Sequence, residues 1–186
     1  MRVICGAAKG RSLVSFKGRA IRPTSDKVRE AIFDILQGYF PFDSALDIFA
    51  GTGAMGIEAM SRGVKEAVFI DADRHAASLI KENLEITGFS AMARVLPMDA
   101  IDGIKFLSAR QDKFDLVFVD PPYDELLTNR VLTAIEENEL LAPEGIIVSE
   151  SSKKLGERPM PARLECFRER VYGSTKVSFY TTQEEG

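Results

Sequence analysis

The chain is poor in metal-binding and nucleophilic side chains: its 186 residues include one histidine, His75, and two cysteines, Cys5 and Cys166. The cysteines stand 161 positions apart and form no C-x-x-C pair, which argues against a thiolate or imidazole metal centre, and no metal is expected. A Ser-His-Asp or Cys-His catalytic unit would have to use His75. That residue sits in Asp73-Arg74-His75-Ala76-Ala77, at the first turn of a predicted helix, and reads as a surface histidine. Long hydrophobic runs are missing too. The apolar run around Phe114 to Val119 falls far short of the roughly 20 residues that a bilayer span requires. At the N-terminus, Met1 to Gly6 meets Lys9 and Arg11 before the apolar core of a signal peptide can form. The expected compartment is therefore the cytoplasm, with no membrane partner.

What is present suits one domain with its own core: 45% hydrophobic and 28% charged residues over a length that buries a sizeable interior. The 24 basic and 28 acidic residues give a net charge of −4, which by itself speaks against a nucleic-acid partner. That total hides an asymmetry. Residues 1–30 hold eight basic side chains against two acidic ones, a net of +6, so the remaining 156 residues carry −10. A polyanion docks on a fixed patch, so a basic head on an acidic body is compatible with localised phosphate binding, and equally with a solvated basic face.

Beyond that head, β-branched apolar runs alternate with segments of helical periodicity, which predicts a parallel sheet flanked by helices. Strands are expected near Ala45 to Phe49, Ala67 to Asp71, Ala93 to Leu96, Leu116 to Asp120 and Ile146 to Glu150. Helices are expected over Asp26 to Gly38, Ala54 to Arg62, Arg74 to Thr87, Ala100 to Ala109 and Glu125 to Asn138, with Gly63 and Gly88 stopping the second and third. The stretch Arg163 to Thr182, split by Gly173-Ser174, has a hairpin signature that would close the sheet antiparallel. Arg2 to Gly6 and Ser12 to Phe16 predict a second, short hairpin carrying basic residues, and Lys153 to Pro161 a polar loop.

The most informative stretch runs from Leu46 to Gly56. A strand leads into Gly51-x-Gly53-x-x-Gly56 and then a helix, where glycines permit a tight turn and the helix end offers unpaired N–H groups to a ligand. Asp71 follows Gly51 by 20 positions at the end of the next strand, placed to accept hydrogen bonds from ribose hydroxyls. A nucleoside-containing cofactor is implied. Asp47 narrows the choice, because a carboxylate in an apolar strand is costly to bury alone. A pyrophosphate has no use for it, whereas the ammonium and sulfonium of S-adenosylmethionine do. Asp99, after the third strand, can reach an adenine amino group, cap the helix starting at Ala100, or do both.

A second signal is Asp120-Pro121-Pro122-Tyr123, directly after an apolar strand. Two prolines forbid helix and hold the Asp120 side chain and the Pro121 carbonyl at the strand's edge. Both are acceptors that could take the N–H bonds of an exocyclic base amine and favour its nucleophilic pyramidal form, while Tyr123 could stack on the base.

These residues are similar to the class I S-adenosylmethionine-dependent methyltransferases, and Asp120 to Tyr123 resembles the D/N-P-P-Y/F tetrapeptide of those acting on amino groups of nucleic acids. With Gly6, Lys9-Gly10-Arg11, Leu13 and Arg22-Pro23-Thr24-Ser25-Asp26-Lys27-Val28-Arg29-Glu30, the chain resembles the RsmD-type methyltransferases, which act on the N2 amine of a guanine in bacterial small-subunit (16S) ribosomal RNA. The resemblance implies a Rossmann-like fold: a seven-stranded, mostly parallel sheet with an antiparallel last strand, helices on both faces and a short N-terminal extension. It implies one methyltransferase domain over residues 1–186, with a basic extension over 1–43 and a cofactor-binding core over 44–186. Asp47, Gly51, Gly53 and Gly56 would form the cofactor loop, Asp71 would take the ribose and Asp99 the adenine. Asp120, Pro121 and Tyr123 would hold the target guanine. Two positions depart from the pattern: Cys5 stands where glycine is common and Asp71 where glutamate is more usual.

The implied partner is 16S ribosomal RNA or the small subunit during assembly, met by a monomer. Lys9, Arg11, Arg22 and Arg29 are expected to contact phosphate, although Arg29 could instead pair with a nearby acid. Three rivals remain: a DNA amino-methyltransferase acting on adenine N6 or cytosine N4, for which the chain has little room beyond its sheet; a nicotinamide-dependent oxidoreductase on the same glycine loop, disfavoured by Asp47 and the D-P-P-Y turn; and a catalytically silent RNA-binding module.

Overall fold

The computed structural model describes residues 1–16, 26–121, 125–152 and 161–183. Its centre is a seven-stranded sheet in the order β3-β2-β1-β4-β5-β7-β6. The strands are β1 (Ser44–Ile48), β2 (Glu66–Ile70), β3 (Ala93–Leu96), β4 (Phe114–Val119), β5 (Leu141–Ser152), β6 (Leu164–Tyr172) and β7 (Thr175–Thr182). β1 to β5 run parallel, and β7 inserts antiparallel between β5 and β6. The helices are α1 (Asp26–Leu36), α2 (Ala54–Ser61), α3 (Arg74–Thr87), α4 (Ala100–Ala109) and α5 (Glu125–Glu137).

The central strands are apolar at nearly every position because both faces are covered, as parallel sheets require. β1 is buried along its whole length. Alternate side chains divide between two cores. Ala45, Phe69, Leu116 and Phe118 pack with Phe33, Ile57 and Ile80 of α1, α2 and α3. Leu46, Ile48, Val68, Ile70 and Val117 pack with Ile104, Leu107 and Val131 of α4 and α5. Each core holds enough large aliphatic side chains, at roughly 1.5–3 kcal/mol apiece, to offset much of the entropy of ordering the chain. Among the described residues no helix is long and apolar enough to cross a membrane.

Element types follow the sequence pattern, and the differences have local causes. β1 stops at Ile48 because Phe49 turns into the left-handed region, φ 63°. β5 begins at Leu141, five residues before the expected start, with a register shift against β4 between Phe114 and Leu116 and Glu144 at φ 60°. Pro143 and Glu144 broke the apolar pattern there without ending the strand. The expected N-terminal hairpin is reduced to one antiparallel bridge, Arg2 with Ser12, flanked by Val3 N–H to the Arg11 carbonyl and Leu13 N–H to the Met1 carbonyl, both at 3.0 Å. The N–H groups of Ile4, Cys5, Ala7 and Ala8 turn to α2 instead, and that of Val14 to α3. Val3, Ala8 and Leu13 share the core of α1, α2 and α3, so the extension is packed on the body.

Candidate active site

Strand order reverses at β1: β2 and β3 lie on one side of it, β4 and β5 on the other. In sheets of this kind ligands bind outside the carboxyl ends of the strands at such a switch point. The glycine loop leaves β1 there and Asp120 leaves β4 beside it.

Positive φ at Gly51 (56°) and Gly53 (76°) turns the chain from strand to helix in a few residues. Gly56 serves a different need. A Cβ there would lie 2.4 Å from the Phe69 ring, so only glycine lets α2 settle on β2. That approach brings the Gly56 N–H to Asp47 Oδ2 at 2.9 Å. Asp47 is 4% exposed and has no cation beside it among the described residues. Burial pushes its carboxyl up to about 8; the Gly56 hydrogen bond opposes this, and the charges of Asp120 and Asp71 add to it.

Asp71, at the end of β2, accepts the Gly51 N–H on Oδ2 at 2.8 Å and the Asp73 N–H on Oδ1 at 2.9 Å. The short aspartate thus ties the end of β2 to the glycine loop. Asp99 caps α4, accepting the Ile101 N–H at 2.9 Å, and stays exposed. Asp120 is exposed at the end of β4 and Pro121 is buried. Asp47, Gly51, Gly53, Gly56, Asp71, Asp99, Asp120 and Pro121 therefore share one edge of the sheet. Tyr123 and Arg22 lie outside the described residues. A groove of about 1130 Å³ opens at the other end of the strands between Tyr39, Leu141 and Arg163 and shares no residue with this constellation.

The basic residues of the extension separate. Lys9 and Arg11 are exposed, and the Arg11 guanidinium donates to the Ile86 carbonyl near the end of α3. At 1.5 Å per residue that is about 20 Å down the helix from the edge carrying Asp71. Arg29 is corrected: instead of facing phosphate it is 0% exposed, its Nη2 donating to the Arg2 carbonyl at 2.6 Å and to Asp26 Oδ1 at 3.0 Å. Its Nε stands 3.9 Å from Glu58 Oε2. Pairing with an acid, the other outcome left open for it, is the one observed.

Glu58 and Asn83, both fully buried, were not singled out from the sequence. Glu58 accepts the Ile4 and Cys5 N–H groups at 2.8 and 3.0 Å and Arg62 Nε at 2.9 Å. Its signal was α2 itself, apolar on every side (Met55, Ile57, Ala59, Met60), which leaves no wet face for an acid. Asn83 falls with Ala76, Ile80, Leu84 and Thr87 on the stripe that α3 buries, so its amide had to find partners inside. Phe49, at positive φ at the start of the glycine loop, reads in the sequence as one more apolar residue.

Residues 1–181 match the family described as Conserved hypothetical protein 95. The chain is 39% identical over 180 residues to the Bacillus subtilis (strain 168) protein YlbH, with 97% of this chain and 98% of that protein covered. It is 34% identical over 186 residues to the ribosomal RNA small subunit methyltransferase D of Escherichia coli (strain K12), covering 100% and 92%. The solved structure of yhhF from Escherichia coli superimposes with a TM-score of 0.86 at 34% identity, covering 100% of this chain and 99% of that one.

Proposed function

The chain belongs to the family described as Conserved hypothetical protein 95, and from that premise we propose that it is an S-adenosylmethionine-dependent ribosomal RNA methyltransferase whose target is the exocyclic N2 amine of a guanine in small-subunit (16S) RNA. The observation that carries this is a juxtaposition at one switch point. β1 carries the buried Asp47, without a cation among the described residues, and runs into the glycine loop, while Asp120-Pro121 follows the adjacent β4.

The residues fit the cofactor. Asp47 is a buried carboxyl whose ionisation awaits a cation, and Gly51 and Gly53 leave the loop backbone bare for close approach. When bound, S-adenosylmethionine supplies an electrophilic methyl group. Asp47 faces its ammonium end, Asp71 its ribose and Asp99 its adenine. Asp71 can accept from ribose hydroxyls without giving up its backbone bonds, since a carboxylate has about four acceptor directions and two are taken.

On the other side of the switch point, Asp120 and the Pro121 carbonyl take the N–H bonds of a base drawn out of its stack, and Tyr123 covers its face. Most of the rate enhancement is then positioning. The amine proton becomes acidic only after transfer, so Asp120 or water suffices to remove it and no histidine is required. The division of labour runs along the chain: residues 1–43 hold RNA and residues 44–186 hold cofactor and base. Lys9, Arg11 and Arg22 contact phosphate, and Arg11, anchored some 20 Å from the edge, touches backbone remote from the target base.

The test is transfer of labelled methyl to small ribosomal subunits lacking the modification, followed by nucleoside analysis. N2-methylguanine is expected; label in DNA would overturn the substrate assignment. Asp120→Ala should keep cofactor affinity within a few fold and lower single-turnover methyl transfer by about two orders of magnitude. Unchanged transfer would remove Asp120 from its role.

A further inference from the structure

Asn83 touches both the extension and the cofactor loop. Its Nδ2 donates to the Val14 carbonyl at 3.0 Å and to the Thr52 carbonyl at 2.9 Å, and its Oδ1 accepts the Val14 N–H at 2.7 Å. The amide orientation is fixed by these partners, since Thr52 offers only a carbonyl and a reversed side chain would set oxygen against oxygen. Three of its four bonding directions are committed, inside a core where an unused one is costly.

Val14 lies two residues beyond the Arg2–Ser12 bridge, and Thr52 is the middle residue of Gly51-Thr52-Gly53. The other end of the extension is fixed to the helix that follows this loop. Gly53 is the N-cap of α2, whose Glu58 and Ser61 hold the backbone N–H groups of Ile4, Cys5 and Ala8 at 2.8 to 3.0 Å. There is no slack in that contact: a Cβ on Gly6, itself at φ +80°, would sit 1.7 Å from the Ser61 carbonyl oxygen.

On the premise that the extension binds RNA as proposed, we infer that Asn83 is a positioning residue that makes cofactor binding and RNA binding cooperative. A ligand that fixes the glycine loop fixes the Thr52 carbonyl. The amide transmits this constraint to Val14, in the extension that carries Lys9 and Arg11. RNA held by the extension constrains the loop by the same bonds, as linkage requires.

The test uses the full chain, S-adenosylhomocysteine, and small ribosomal subunits lacking the modification. In the wild type, S-adenosylhomocysteine should tighten subunit binding about five-fold or more. Asn83→Leu, similar in size without the hydrogen bonds, should bring that ratio to about one. Leu107→Ala, buried against the opposite face of the sheet, should destabilise the fold and leave the ratio intact. If Asn83→Leu fails to fold, Asn83→Asp replaces it, keeping the acceptor for Val14 and losing both donors. An unchanged ratio in the Asn83 variant, a lost ratio in Leu107→Ala, or a wild-type ratio of one with subunits still bound overturns the role of Asn83 and leaves the substrate assignment standing. If the wild type does not bind subunits, the substrate assignment is what fails. Amide hydrogen exchange over residues 2–16 then decides on Asn83: S-adenosylhomocysteine should slow it in the wild type and not in Asn83→Leu, and no slowing in the wild type overturns the inference.

Discussion

Two buried acids meet helix α2, Asp47 from β1 against its first turn and Glu58 from within it, and the two are held in opposite ways. Asp47, against the first turn, has one backbone N–H, two further acids in its field and a carboxyl pushed up to about 8. Glu58, within α2 itself, is 0% exposed with two backbone N–H groups, Arg62 at 2.9 Å and Arg29 at 3.9 Å. Arg62 in turn lies over the Phe33 ring, 4.8 Å from its centre. A buried acid with its cations in place is part of the scaffold; Asp47, with no cation beside it among the described residues, is the one proposed to meet a cationic ligand. The two differ in their partners and not in exposure, which is nearly the same for both.

Breaking the compensated site should have the largest effect on stability. Glu58→Gln keeps shape but takes the carboxylate from Arg62 and leaves the buried Arg29 with Asp26 alone, so denaturant unfolding should show a loss of about 3–5 kcal/mol, with S-adenosylhomocysteine affinity changed by no more than a few fold. A stability loss within about 0.5 kcal/mol would mean that the two acids are not different in kind.

Asp47→Asn should do the reverse. In the ligand-free protein the carboxyl is raised from 3.8 to about 8, so the folded state holds its proton more tightly than the unfolded chain. The stability this confers is fully present below pH 3.8 and is lost as pH rises through about 8. The wild type should therefore lose stability relative to Asp47→Asn across that window, while the variant binds S-adenosylhomocysteine roughly ten-fold more weakly or worse. Parallel pH profiles for the two proteins would refute a protonated Asp47.

Asp99 gives the smallest effect, because it is exposed and its cap is a single bond. Asp99→Ala should cost about 1 kcal/mol of stability. Asp99→Ser retains a cap and should recover that stability; cofactor affinity that stays low in the serine variant would separate adenine contact from capping.

The strand and helix alternation, the glycine turn, the acid at the end of β2 and the terminal hairpin were legible because each is written in neighbouring residues. Asn83 and Glu58 were not, because what defines them is 53 to 69 positions away in sequence. Arg29 shows the same limit from the other side. Its charge was legible, but its burial under the extension depends on where Arg2 and Glu58 come to rest. Asp99 was read with both of its uses open, and the cap is the one that a backbone without ligand can display.

The bonds that fix the extension also set an order of events during synthesis. Val14 leaves the ribosome 69 residues ahead of Asn83. At about 5–20 residues per second, that interval is roughly 3–14 seconds. The extension thus waits for α2 and α3 before it can dock, although it is made before either.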